Sequence, residues 1–194
     1  MSLMDALPTP RLRWEGWHPN VVLVSLSLIM LAAFWLLDVV SMAPNRIVLG
    51  TGHGALEAFG WPGALLATLL LSFIGILACQ PTHRHYRALF AAVIVIMALM
   101  PVGLMASSYL LIDPEMPQAR LGMGAAYWVV LFVLLLCLVE LRLRLNLTRI
   151  WPTLWLCGVA LVWWLCAAFG LETLALVQEF KARDQQLLSA VAQH

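Results

Sequence analysis

The side chains able to do chemistry in this chain are few and scattered. Haem held in a membrane bundle needs two histidines facing each other from within helices. His18, His53, His83, His85 and His194 instead fall in stretches read as loops or termini. His83 and His85 together offer two ligands, with no carboxylate or thiolate close in sequence to complete a tetrahedral site. The cysteines Cys79, Cys137, Cys157 and Cys166 form no C-x-x-C pair and read as small apolar fillers. Gly50-Thr51-Gly52-His53-Gly54 lacks the Lys-Ser/Thr of a phosphate loop and is expected to be a flexible connection. There is no serine, histidine and acid set and no carboxylate pair of the kind catalysis requires, so the chain reads as no enzyme, with no cofactor and no metal.

Five residues remain as functional candidates: Asp38, Glu140, Trp163, Trp164 and Phe180. An acid inside a membrane span is costly and so is a functional hypothesis by default. Asp38 and Glu140 both lie at the ends of apolar runs, where Asp38 can reach headgroups and Glu140 can pair with Arg144 one turn on. The nine tryptophans invite the idea of an aromatic cage for a quaternary ammonium. Trp14, Trp17, Trp61 and Trp151 fall where an interfacial belt is expected, while Trp163 and Trp164 sit deeper.

The elements that must position these residues follow from composition. Of 194 residues, 63% are apolar and 11% charged, against about 45–50% and about 25% in soluble domains. Ten acids and eleven bases cannot clothe a soluble protein of this length, and a net charge of +1 with no basic stripe excludes nucleic acid as a partner. The expected fold is an all-α integral membrane protein with about five transmembrane helices, followed by an amphipathic helix on the outer face. Residues 1–20 form an N-terminal cytoplasmic or interfacial segment without the apolar stretch of a cleavable signal, 21–170 the transmembrane domain, and 171–194 the terminal helix.

The predicted spans are 21–40, 62–79, 88–111, 123–141 and 151–170. Pro44 stops the first, Pro62 and Pro152 open the second and fifth, and Pro101 predicts a kink in the third. Ala64, Thr68 and Ser72 give the second span a small-residue face suited to close helix approach. In the terminal segment Leu176, Val177, Phe180, Leu187, Leu188 and Val191 recur at helical spacing, with Glu179 and Arg183 four apart. Arg11, Arg13, Arg84, Arg87, Arg142, Arg144 and Arg149 share one side, against Arg46, Arg120, Lys181 and Arg183 on the other. That excess predicts a cytoplasmic N-terminus and a periplasmic C-terminus in a multi-pass inner-membrane protein.

Three stretches carry a family resemblance: Ala43-Pro44-Asn45-Arg46-Ile47-Val48; Ala119-Arg120-Leu121-Gly122-Met123-Gly124 with Tyr127-Trp128; and a tail with Glu179, Phe180, Ala182, Arg183, Asp184 and Ala190-Val191-Ala192-Gln193-His194. In order and spacing the chain resembles the amino-terminal membrane region of YehY-type osmoprotectant ABC-importer permeases, the bacterial glycine betaine uptake family. The resemblance implies an accessory transmembrane domain that assists or modulates solute uptake beside a permease core. It also implies an ATPase subunit, a periplasmic binding protein and a dimeric assembly. The coupling loop of such a core would lie downstream of His194, so the chain is expected to be either a fragment or a split-gene subunit. The alternative reading is a free-standing scaffold subunit of an unrelated inner-membrane complex, with the small-residue face of the second span as its contact surface.

Overall fold

A computed structural model describes residues 18–45, 47–113, 118–148 and 150–180. Expectations resting on Arg11, Arg13, Trp14, Trp17, Arg46, Arg149 and residues 181–194, among them Leu187 and the Glu179–Arg183 pair, lie outside the described residues.

The chain forms α1 (Val21–Leu36), β1 (Val40–Ala43), β2 (Thr51–His53), α2 (Ala55–Cys79), α3 (His83–Leu111), β3 (Arg120–Met123), α4 (Ala125–Leu145) and α5 (Ile150–Phe169). Four of these helices, α2 to α5, are long and apolar enough to cross a membrane, and α1 is a shorter apolar helix. The protein is therefore an all-α membrane protein in its bulk, with one small sheet that periodicity did not announce. The first predicted span is corrected: α1 stops at Leu36 and its cap Leu37 is extended at φ −113° and ψ 159°. Sixteen helical residues rise only about 24 Å, less than the ~30 Å of hydrocarbon. The chain leaves the helix there because the Val39 amide is satisfied by the His53 carbonyl at 2.9 Å, in sheet rather than in helix.

The stretch expected to be a flexible glycine loop is likewise corrected. Residues 51–53 form an edge strand, with Val40 opposite His53, Ser41 opposite Gly52 and Met42 opposite Thr51. On its other side β1 pairs antiparallel with β3, Val40 opposite Met123 and Ala43 opposite Arg120, giving the order β2-β1-β3. Alternation then sorts the side chains. Val40 and Leu121 are fully buried, on the sheet face shared with Met42 and Met123. On the opposite face Ser41, Gly52, Gly122 and Ala43 add little bulk beside Arg120.

Two glycines make the geometry possible. Gly60 has φ +65°, a conformation costly for any side chain, and it breaks α2 so that Pro62 stands in the first turn of the long segment that follows. A Cβ on Gly124 would stand 2.2 Å from the Asp38 carbonyl oxygen, so only glycine lets α4 begin directly against the end of α1. That junction is closed by hydrogen bonds from the Gly124 amide to the Val39 carbonyl and from the Ala126 amide to the Asp38 carbonyl, each 2.9 Å.

Helix α1 packs between α2 and α4, α3 contacts α2, α4 and α5, and α5 docks mainly on α3. The small-residue face of α2 is taken up inside the chain. Ser27 of α1 donates to the Leu71 carbonyl at 3.0 Å, and Trp35 donates to Thr68 at 3.2 Å. Helix direction alternates, so one end of the bundle holds the start of α1 and the α2–α3 and α4–α5 turns, with Arg84, Arg87, Arg142 and Arg144. The other end holds the sheet.

Candidate functional site

At the arginine-bearing end the organising residue is Asn20, only 6% exposed. Its side-chain oxygen caps α1 by accepting from the Leu23 amide at 3.2 Å, and its backbone amide donates to the Ala78 carbonyl at the end of α2. Its side-chain amide nitrogen lies 3.3 Å from the Tyr86 hydroxyl of α3 and 3.2 Å from the Glu140 carboxylate of α4. Glu140 also accepts from Arg144 Nε at 2.8 Å. One carboxylate, one guanidinium and one amide thus join four helices. Asn20 was not among the residues singled out from sequence, although an asparagine directly before an apolar helix is a capping signal.

The sheet-bearing end gathers most of the rest. After α5 the chain runs alongside β3: the Leu121 amide donates to the Thr173 carbonyl at 3.0 Å, and Leu121 and Leu174 form a parallel bridge. Residues 175–180 are helical and lie over the small face of the sheet. There Arg120 of β3 meets Glu179 at 3.1 Å. Ser41, Asn45, Gly50, Arg120, Ala175 and Glu179 line a groove of about 320 Å³. Beside it the β1–β2 connection exposes Ile47 and Leu49 almost completely, 94% and 92%, while Asn45 Oδ1 accepts from the Ile47 and Val48 amides at 2.9 Å.

The five candidates from sequence are dispersed. Asp38 is exposed at the sheet-bearing end, its carboxylate over Gly52, whereas Glu140 lies near the opposite end of α4. Trp163 turns inward, donating from Nε1 to the Met97 carbonyl at 3.3 Å and meeting Tyr127 edge-on at 5.9 Å. Trp164, 64% exposed, faces away from the bundle, so the two rings share no cage. Phe180 is exposed together with Leu176 one turn earlier, whereas Leu174 and Val177 are buried. The apolar side of this helix is therefore split, one part against the protein and one part uncovered.

Three histidines expected in loops instead lie in regular elements. His53 ends β2 and its Nδ1 stands 2.9 Å from Glu57. His83 and His85 lie in the first turn of α3, which Thr82 caps, and His85 Nδ1 contacts the Gln80 carbonyl.

Three segments far apart in sequence thus converge on one end: the β1–β2 connection, β3 with the start of α4, and the chain after α5. A family description matches residues 18–177, namely the N-terminal domain of the ABC transporter permease YehY. The chain belongs to this family. No curated protein and no solved structure matches it. The match places the chain in the permease part of an ABC transporter, a transport rather than a catalytic component and a multi-pass membrane protein that associates with other transporter components.

Proposed function

We propose that the chain is an accessory transmembrane domain of an osmoprotectant importer of the glycine betaine type, packing beside the permease core in the inner membrane and modulating it. The observation that carries this reading is the attachment of residues 173–179 to β3 by a backbone hydrogen bond, a bridge and the Arg120–Glu179 pair. These contacts hold residues 173–179 against the sheet-bearing end. The exposed side of Leu176 and Phe180 and the largely uncovered surface of α5, of which only Pro152 and Val159 are buried, offer apolar area for a core to cover.

The sheet-bearing end is taken to be periplasmic, because described arginines cluster at the opposite end. It is then the face available to a periplasmic binding protein, while the ATPase works from the other side through the core. Against the scaffold alternative, α1 packs on α2 and reaches Thr68 of its small-residue face through Trp35.

The test is co-purification of the tagged chain in mild detergent with the permease core, ATPase and binding protein. Recovery of core and ATPase, weakened by Phe180→Asp combined with Leu176→Asp, is the expected result. Undiminished recovery with that double variant removes the terminal helix from the interface. Failure to recover the core with a folded chain overturns the proposal.

A further inference from the structure

A second cavity lies within the bundle, separate from the groove over the sheet. It has a volume of about 300 Å³, at the small end of the range of about 300–1,000 Å³ for ligand pockets. Its floor is buried and apolar, made by Phe34, Leu71, Ile96, Ala126 and Val130. Its mouth is framed by Leu66 of α2 and by Leu99 and Val102 of α3, all exposed, so it opens sideways between these two helices.

Gly60 interrupts α2 near its start, whereas α3 runs through Pro101 without a non-helical residue, so the kink predicted there is not seen in the backbone angles. Gly63 and Gly103 line the cavity without side chains and Phe59 occupies the space between them, since a Cβ at either position would stand 2.9 or 3.3 Å from Phe59 atoms.

We propose that this cavity holds one acyl chain of a membrane phospholipid, entering from the bilayer between α2 and α3. The mouth continues into apolar surface of membrane-spanning helices on which Leu65, Leu69 and Val95 are also exposed, so the lipid already solvating α2 and α3 is continuous with the cavity. Beyond the break at Gly60 the lining runs from Gly63 to Leu71 along α2 and from Ile96 to Ala106 along α3, a helical rise of about 12 to 15 Å. That is close to one leaflet of a hydrocarbon core ~30 Å thick. A transmembrane helix from a partner would need a groove of full membrane depth, whereas an acyl chain needs one leaflet. Water is a poor occupant because Tyr127 is the single polar side chain of the lining, where a buried water requires about two to four polar partners, and an unfilled gap forfeits dispersion contacts along its whole wall. This inference does not depend on which transporter the chain serves.

The experiment is photolabelling of the full chain, reconstituted in bilayers containing a phosphatidylethanolamine with a diazirine on one acyl chain, with labelled residues mapped by mass spectrometry. Label is expected on Met100 and Gly103, and Ala67→Phe, which plugs the cavity, should lower it about tenfold while labelling of the exposed α5 residues Trp164 and Phe169 stays unchanged. Leu66→Trp at the exposed mouth should have the same effect without altering the interior, which covers the case where Ala67→Phe fails to fold. Labelling of Met100 and Gly103 no higher than background, or insensitive to both substitutions, overturns the proposal. Labelling by a diazirine fatty acid in place of the phospholipid overturns the assignment of the occupant. So does capture of another protein chain by a benzophenone side chain installed at Leu99.

Discussion

The side-chain amide of Asn20 stands 3.2 Å from the carboxylate of Glu140, joining the start of the first helix to the end of the fourth across 120 residues of sequence. The same side chain caps α1 and reaches Tyr86, so its removal withdraws a cap and leaves a half-satisfied acid. Loss of an N-cap costs about 1 kcal/mol and loss of a hydrogen bond to a charged group about 1.5–3 kcal/mol. Asn20→Ala should therefore destabilise the domain by about 2–4 kcal/mol, read as a lowered midpoint of thermal unfolding in detergent. Glu140→Gln keeps an acceptor and should cost less than half as much. Equal effects of the two variants would show that the charge, not the amide, organises this end.

Glycines 124 and 158 form an internal contrast. A Cβ at Gly124 meets the Asp38 carbonyl oxygen and the Val39 backbone, neither of which is a movable side-chain tip. Gly124→Ala should cost about 2–3 kcal/mol by overpacking. Nothing lies within 4 Å of a Cβ at Gly158, in the middle of α5. Gly158→Ala should be neutral or stabilising by up to about 1 kcal/mol, because alanine loses less backbone freedom in a helix. Thermal unfolding of the pair in the same detergent decides it, and a Gly124→Ala protein as stable as Gly158→Ala would mean that the junction of α1 with α4 tolerates displacement.

The helices were legible because their signal is strong and local: apolar runs of membrane length, bounded by Pro44, Pro62, Pro81 and Pro152, leave little choice. The sheet was not, because its strands have three or four residues and β1 pairs with β3 across about 80 positions, Ala43 with Arg120. Its sequence signal is also ambiguous, since Gly50, Gly52 and Gly54 read as loop, whereas Gly52 lies in β2 and Gly50 and Gly122 line the flat face that the chain after α5 covers. Glu140 with Arg144 could be foreseen as an i, i+4 pair, whereas the contribution of Asn20 is tertiary and has no local signature beyond the cap.

Arg120 and Glu179 make a partly exposed pair, worth about 0.5–1 kcal/mol by itself, so Arg120→Ala should barely move global stability. The local effect should be larger. Amide exchange in residues 174–180 is expected to rise about two- to fivefold, because the pair joins the Leu121–Thr173 hydrogen bond and the buried Leu174 and Val177 in holding the segment. The exchanged pair Arg120→Glu with Glu179→Arg should restore slow exchange. Exchange unchanged in Arg120→Ala would assign the anchoring of residues 173–179 wholly to the backbone bridge and the apolar contacts.

Trp163 and Trp164 are neighbours in sequence with opposite surroundings, and the difference is measurable. Trp163→Phe loses the hydrogen bond to Met97 and the edge contact with Tyr127, and should cost about 1–2 kcal/mol. Trp164→Phe changes a ring that is 64% exposed and should stay within about 0.5 kcal/mol. Quenching by brominated phospholipids separates them independently of stability: the fluorescence lost on replacing Trp164 should come from the strongly quenched fraction, and that lost on replacing Trp163 from the protected fraction. Equal quenching of both would require α5 to turn away from α3 in the bilayer, and the contact that fixes the fifth helix would then have to be sought elsewhere on α3.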